Sequence, residues 1–225
     1  MKQVLEIPIK ARSSTRVPNK NFRDLAGKPL CFWMLDELAK EMAADCQMYI
    51  DSEAESVMEP IRKRFGDRFL FHKRDEWFAG DQANGNHLLS QFVHRHPEFD
   101  VYAQVFITSV TLPGRLVREA MDEFCDRLDQ HDSITLVTED CGWYWYQGKA
   151  VNYRPDIPDG LPRSQDAMML KETTGLYAIT REAVLRTGCR LGHRPLFYKV
   201  EREFAMDIDT MDDFAAAQKL LEGRM

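Results

Sequence analysis

Short apolar runs alternate with longer amphipathic stretches along most of the chain. Residues 4–9 form a β-branched apolar run that Pro8 is expected to end, and residues 10–24 are polar without apolar periodicity. From 29 to 43, Leu30, Trp33, Met34, Leu38 and Met42 recur at three- and four-residue steps, which predicts a helix. Residues 47–50 read as a second strand, stopped by Asp51-Ser52. Either of these can cap a helix over 53–64, with Gly66 beyond its end. A weak strand at 69–72, a helix at 87–93, a clear strand at 101–108, an amphipathic helix at 113–128 and a fifth strand at 134–137 follow. The last part of the chain predicts a strand at 176–179, a helix at 181–187, a strand at 197–200 and a helix at 211–221.

Strands alternating with helices are the sign of βαβ units and a mostly parallel sheet. Residues 141–168 break the alternation: Trp143, Tyr144, Trp145 and Tyr146 precede Pro155, Pro158 and Pro162. Such a stretch predicts a hairpin-like excursion from the sheet. The expectation is one α/β domain over 1–225, three layers deep, with an inserted subregion at 141–172.

Composition narrows the classes. The chain has 225 residues, 44% apolar and 29% charged, as soluble globular proteins do. Thirty Lys and Arg against 36 Asp and Glu give a net charge of -6, which argues against nonspecific nucleic-acid or basic membrane-surface binding. No stretch approaches the ~20 apolar residues that span a bilayer. The first apolar run is too short for a signal peptide and no small-residue cleavage site follows it. Five scattered cysteines without CxxC spacing predict reduced thiols in a cytoplasmic protein rather than zinc or disulfides.

Two constellations carry candidate chemistry. Lys10, Arg12, Arg16 and Lys20, interleaved with hydroxyls, follow the first strand, where open α/β sheets often hold phosphate. The same composition also suits a solvated charged loop. Near the other end, Asp207 and Asp209 stand at i and i+2, which share a face in extended chain. Paired hard oxygens suit Mg²⁺; the alternative is that Asp209 or Thr210 caps the last helix. No GxxxxGK[ST], GxGxxG, GxSxG or HExxH occurs. His94 and His96 read as surface residues, and the Trp143–Tyr146 run reads as packing or interface.

At the two constellations the sequence resembles a known family. Ile7-Pro8, the run from Ala11 through Ser13, Ser14, Thr15, Arg16, Val17, Pro18 and Asn19 to Asn21, and Leu25-Ala26-Gly27-Lys28-Pro29-Leu30 resemble the opening of the acylneuraminate cytidylyltransferases. The Ser-Thr-Arg-Val-Pro portion is closer to CMP-Kdo synthetases. Thr174-Gly175-Leu176-Tyr177-Ala178 resembles the family's asparagine-glycine strand, and Asp207-Ile208-Asp209-Thr210 its terminal acidic motif.

The resemblance implies a nucleotide-diphospho-sugar transferase (Rossmann-like) fold and transfer of CMP from CTP to a nonulosonic, sialic-acid-like acid with release of pyrophosphate. Ala11, Arg12, Ser14, Arg16 and Lys20 would hold the triphosphate; Asn21, Asn84 and Asn86 would contact the nucleoside. Arg12, Lys20 and Asp209 would be catalytic, with Asp207 and Asp209 as Mg²⁺ ligands. Arg74 and Gln104 would lie near the acceptor. A homodimer would form through the excursion, bringing Arg163 or Lys171 to the neighbouring acceptor carboxylate. The family's leucine-glutamine-proline-threonine-serine-proline motif is replaced by residues 103–110, with Phe106 where glutamine is usual and Gln104 two residues upstream. Thr174 stands where asparagine is usual. These departures lie mostly on the acceptor side, so a Kdo-like keto acid, a phosphonate, or a non-catalytic nucleotide- or sugar-binding role are the alternatives.

Overall fold

The structure, a computed structural model, describes residues 1–12 and 16–223. The first half of the chain forms β1 (Gln3–Pro8), the small hairpin β2 (Asp24–Leu25) and β3 (Lys28–Pro29), α1 (Leu30–Glu41), β4 (Gln47–Ser52), α2 (Met58–Phe65) and β5 (Leu70–Lys73). A single turn α3 (Glu76–Ala79), α4 (Gly85–Arg95), β6 (Val101–Val105), α5 (Gly114–Asp126) and β7 (Ser133–Cys141) follow. The chain ends with the hairpin β8 (Trp145–Tyr146) and β9 (Lys149–Ala150), then β10 (Met168–Thr180), α6 (Arg181–Thr187), β11 (Pro195–Lys199) and α7 (Met211–Glu222).

Seven strands form one sheet in the order β11-β7-β10-β6-β1-β4-β5. All neighbours run parallel except β10, which is antiparallel to both β6 and β7. The expected three layers are present. Leu5 and Ile7 of β1 face a core completed by α1, α2, α5 and α7; Val4 faces a second core with Leu89 and Phe92 of α4 and Val184 of α6. Burial on both faces explains why β1 and β6 read as continuous apolar runs rather than alternating ones.

Several boundaries differ from expectation, each for a local reason. The helix expected from Glu53 begins at Met58, because the Glu53 carboxylate accepts the backbone N–H groups of Ala11 and Arg12, both at 3.0 Å. The strand expected to reach Thr108 stops at Val105, and the chain turns, Ser109 N–H donating to the Phe106 carbonyl at 3.2 Å. His96 is not a surface residue: it closes α4 and packs between Tyr49 and His72, with His96 Nε2 2.9 Å from His72 Nδ1. Burial lowers both histidine pKa values.

The excursion is an extension of the sheet. Met168 to Glu172 at the start of β10 pair with Cys141 to Val137 of β7, beyond the layers of helices, and the register shifts between Glu172 and Tyr177. Trp145 and Tyr146 at its tip are 57% and 68% exposed. All five cysteines are free thiols. Among the described residues no helix is long and apolar enough to cross a membrane.

Candidate functional site

The sequential order β1, β4, β5 runs one way across the sheet, and β6 returns to the other side of β1. The strand order therefore reverses between β1 and β6, the place where open α/β sheets form a crevice beyond their carboxyl ends. An open cleft of about 930 Å³ lies there. Its walls come from the loop after β1, the segment after β5, the turn after β6 and the chain before α7. Six cations (Lys10, Arg12, Arg16, Lys20, Arg74 and Arg190) line it against Asp81, Asp207 and Asp209, in a protein of net charge -6. The cleft concentrates positive charge that the chain as a whole lacks.

The first loop and the acidic segment are brought together. Lys20 Nζ donates to the Ile208 carbonyl at 2.8 Å and lies 3.6 Å from Asp209 Oδ1. Arg16 Nη2 donates to the same Asp209 oxygen at 3.0 Å. Asn21 Nδ2 donates to the Lys10 carbonyl at 2.7 Å, pinning the loop to itself, while Lys10 reaches Asp81 at 3.7 Å. Ala11 and Arg12 are held through their backbone by Glu53. Ser14 lies outside the described residues.

Asp207 and Asp209 both line the cleft, and Ile208 between them is fully buried, as an extended segment requires. The segment is fixed by the Ile208 N–H, which donates to the Thr108 carbonyl at 3.2 Å. The helix is capped by other residues. Thr210 Oγ1 accepts the Asp213 N–H at 3.2 Å, and the Asp213 carboxylate accepts the Thr210 N–H at 2.7 Å, a reciprocal capping box. The Thr210 hydroxyl, donating to the Asp213 carboxylate at 2.7 Å, and then the Thr210 N–H lower the pKa of Asp213. Capping thus leaves both earlier aspartates available, and Asp207 Oδ1 is buried without a hydrogen-bond partner. An orphaned carboxylate oxygen beside a second carboxylate is a donor set that fits Mg²⁺, which takes one or two protein carboxylates together with substrate phosphates.

On the β5 side, Asn84 lines the cleft and caps α4, its Oδ1 accepting the N–H groups of Asn86 at 3.0 Å and His87 at 3.2 Å. Asn86 is turned away, its Oδ1 accepting the Arg190 N–H at 3.1 Å. Arg74 borders the cleft from below, only 1% exposed, with Nε 3.0 Å from Asp51 Oδ1 and Nη2 2.9 Å from Asp51 Oδ2. Beneath it Glu6 is fully buried. Burial, and then the charge of Asp51, push its carboxyl well above the usual range. Glu6 Oε2 accepts Gln104 Nε2 at 2.9 Å.

The acceptor-side residues are placed differently from one another. Gln104 is fully buried, its amide spent on Glu6 and, at 3.1 Å, on the Gly85 carbonyl. It supports the cleft floor from behind, and Phe106, beyond the end of β6, lines the cleft. Thr174 also lines it, with its hydroxyl 3.3 Å from Ser109 Oγ. Arg163 lies on the excursion, paired with Asp166 at 2.6 Å, and Lys171 lies on the outer half of β10; neither lines this chain's own cleft. Three residues escaped the sequence reading. Glu53 stands where the pattern predicts a helix start, Glu6 is a lone acid in an apolar run, and Arg190 follows a helix with no motif around it.

Comparison with known proteins finds similar chains. The family model described as cytidylyltransferase matches residues 7–83, which include the first loop. The chain is 26% identical over 220 residues to the N-acylneuraminate cytidylyltransferase of Streptococcus agalactiae serotype III, covering 95% of this chain and 52% of that protein. It therefore spans about half the length of that relative. It is 24% identical over 230 residues to the pseudaminic acid cytidylyltransferase of Campylobacter jejuni, covering 98% and 96% of the two chains. Among solved structures, CMP:2-keto-3-deoxy-manno-octonic acid synthetase complexed with CTP superposes with a TM-score of 0.69 at 16% identity, over 100% of both chains. The resemblance to the acylneuraminate cytidylyltransferases, read first from short motifs, thus extends along nearly the whole chain, and the fold is the one seen in a CTP-binding synthetase.

Proposed function

We propose that this protein is a Mg²⁺-dependent cytidylyltransferase that transfers CMP from CTP to a sialic-acid-like or related sugar acid and releases pyrophosphate. One observation carries the reading: Arg16 and Lys20 of the first loop converge on Asp209, next to the unpartnered oxygen of Asp207. A triphosphate-binding loop and a divalent-metal site share one cleft.

An acceptor oxygen attacks the α-phosphorus in line, the bond from that phosphorus to the bridging oxygen breaks, and pyrophosphate leaves. Such a step needs positioning and charge neutralisation more than covalent help. Lys20 is held by the Ile208 carbonyl, so its ammonium is already oriented when a phosphate oxygen arrives. Arg12 and Arg16 add charge for the outer phosphates. Because Asp209 is shared between Arg16 and Lys20, a triphosphate that drew on these cations would leave the carboxylate free to hold a metal. Asp207 and Asp209 would hold Mg²⁺, which when bound neutralises phosphate charge and lowers the pKa of an acceptor hydroxyl. Asn84 and Asn21 would contact the nucleoside, and Arg74 would lie near the acceptor.

The exposed Trp145, Tyr146 and Met168 form an apolar surface suited to a homodimer, through which Arg163 and Lys171 would approach the neighbouring cleft. The enzymatic reading is tested by incubating the protein with CTP, Mg²⁺ and each of several sugar acids, and following pyrophosphate. Acid-dependent release is expected; release that no acid stimulates would overturn it.

A further inference from the structure

Arg190 has no place in the scheme above, yet it stands in the cleft. It reaches there from the loop after α6, beside the N-terminus of α4. Its guanidinium lies over the Tyr177 ring, 3.8 Å from the centroid, and 5.8 Å from that of Phe106. Stacking on an aromatic face fixes the plane of the guanidinium and leaves its edge N–H groups free to make bidentate bonds.

Three further facts show a side chain held in position without an anionic partner. The Arg190 backbone N–H is anchored by Asn86 Oδ1 at 3.1 Å. Lys10, Arg16, Lys20 and Arg74 each have a carboxylate within ion-pair distance, whereas Arg190, like Arg12, forms no ion pair among the described residues. The nearest acid along β10, Glu172, is engaged by the Tyr177 hydroxyl at 2.9 Å. Finally, the guanidinium lies close against residue 85: a Cβ on Gly85 would lie 2.6 Å from Arg190 Nη1 and 3.0 Å from Gln104 Oε1, so the guanidinium as placed would have to shift. Gln104 Oε1 is itself buried without a partner. An unneutralised cation and an unmet acceptor thus converge at one point of the floor, at Gly85.

We infer that Arg190 binds an oxyanion of the acceptor, a carboxylate or a phosphonate, through its free guanidinium edge, and so sets which acceptors this cleft takes. The inference rests on the cytidylyltransferase reading for the identity of the second substrate. The ligand it names is a small acid with its anionic group over Phe106 and Tyr177. A hydroxyl next to that group would meet Gln104 Oε1, provided the floor opens slightly at Gly85.

The test separates the two readings by measuring binding instead of turnover. Wild type, Arg190→Gln and Arg190→Lys are each saturated with CTP and titrated with N-acetylneuraminate, 2-keto-3-deoxy-manno-octonate or 2-hydroxyethylphosphonate, with ligand NMR line broadening as readout. CTP binding is measured separately. At least one acid is expected to bind wild type, to bind Arg190→Gln tenfold or more weakly, and to recover in part with Arg190→Lys, while CTP affinity changes less than twofold. Whether a carboxylic acid or the phosphonate is held identifies the oxyanion. For a carboxylic acid, its methyl ester should bind both wild type and Arg190→Gln equally weakly, since the lost charge and the lost guanidinium are one interaction. Equal binding of the acid to wild type and Arg190→Gln, no binding of any acid, or weakened CTP binding instead would each overturn the assignment. Failure of wild type to bind CTP would overturn the enzymatic reading and leave the Arg190 result to stand on the acid titrations alone.

Discussion

Lys20 and Asp209 are joined across almost the full length of the chain: the ammonium stands 3.6 Å from Asp209 Oδ1 and donates to the neighbouring Ile208 carbonyl at 2.8 Å. The loop that leaves the central strand is thereby fastened to the segment that precedes the last helix. Nothing in the packing of either element requires the contact. Lys20 lies in a polar loop, and Asp209 is spared from capping by Thr210 and Asp213.

Replacing Lys20 should therefore affect chemistry more than folding. Lys20→Ala is expected to lower turnover about 10²-fold or more, the size of loss seen when one preorganised charge-stabilising donor is removed. Thermal unfolding should shift by only a few degrees. A turnover equal to wild type would make the first loop a solvated charged face.

Asp209→Asn should abolish turnover and Asp207→Asn should reduce it strongly, because each removes a proposed Mg²⁺ ligand, and a bound metal would supply several kcal/mol of transition-state charge stabilisation. The capping box does not involve either side chain, so both variants should fold. Titrating Mg²⁺ against activity checks the cause: the residual activity of Asp207→Asn should need higher Mg²⁺ to saturate. Near-normal rates for both variants at saturating Mg²⁺ would remove the metal assignment.

Glu6 carries a stability prediction with a defined sign. Its folded pKa is raised, so its contribution is fully present below the ordinary carboxyl value and is lost as pH rises toward the folded pKa. Glu6→Gln keeps the shape and cannot ionise. Its stability relative to wild type should therefore increase as pH rises from about 4.5, by at most about 1.4 kcal/mol per pH unit. Urea melts of the two proteins at a series of pH values measure it. A stability difference that does not change with pH would mean that Glu6 is ionised in the fold.

Trp145→Glu should convert a dimer to a monomer. Wild type is expected to scatter light at about twice the chain mass of 26.2 kDa at micromolar concentration, and the variant at the chain mass. A wild-type mass of one chain would remove the excursion from any role in a neighbouring cleft.

Much of this was legible in the sequence, for reasons that individual residues make plain. The α6 bounds and the end of β1 at Pro8 match expectation because a Thr180 cap, Gly188 and a proline punctuate them. The loop cations and the paired aspartates were visible because short polar motifs survive without long-range information. What was hidden depended on contacts distant in sequence. Glu53 gives up a helix start to hold Ala11 and Arg12. Gln104 and Phe106 lie two residues apart, and the end of β6 between them leaves one under the floor and the other in the cleft. Arg190 is set by Tyr177 and Asn86, and no periodicity reports those partners.

The most direct measurement is of the product. Protein, CTP, Mg²⁺ and a sugar acid are combined, and the ³¹P spectrum is followed with wild type and Asp209→Asn in parallel. The account predicts a new phosphodiester resonance together with an equal amount of pyrophosphate, dependent on the acid, specific for CTP over UTP, and lost in Asp209→Asn. Hydrolysis of CTP without a phosphodiester, or equal product from the variant, would contradict it.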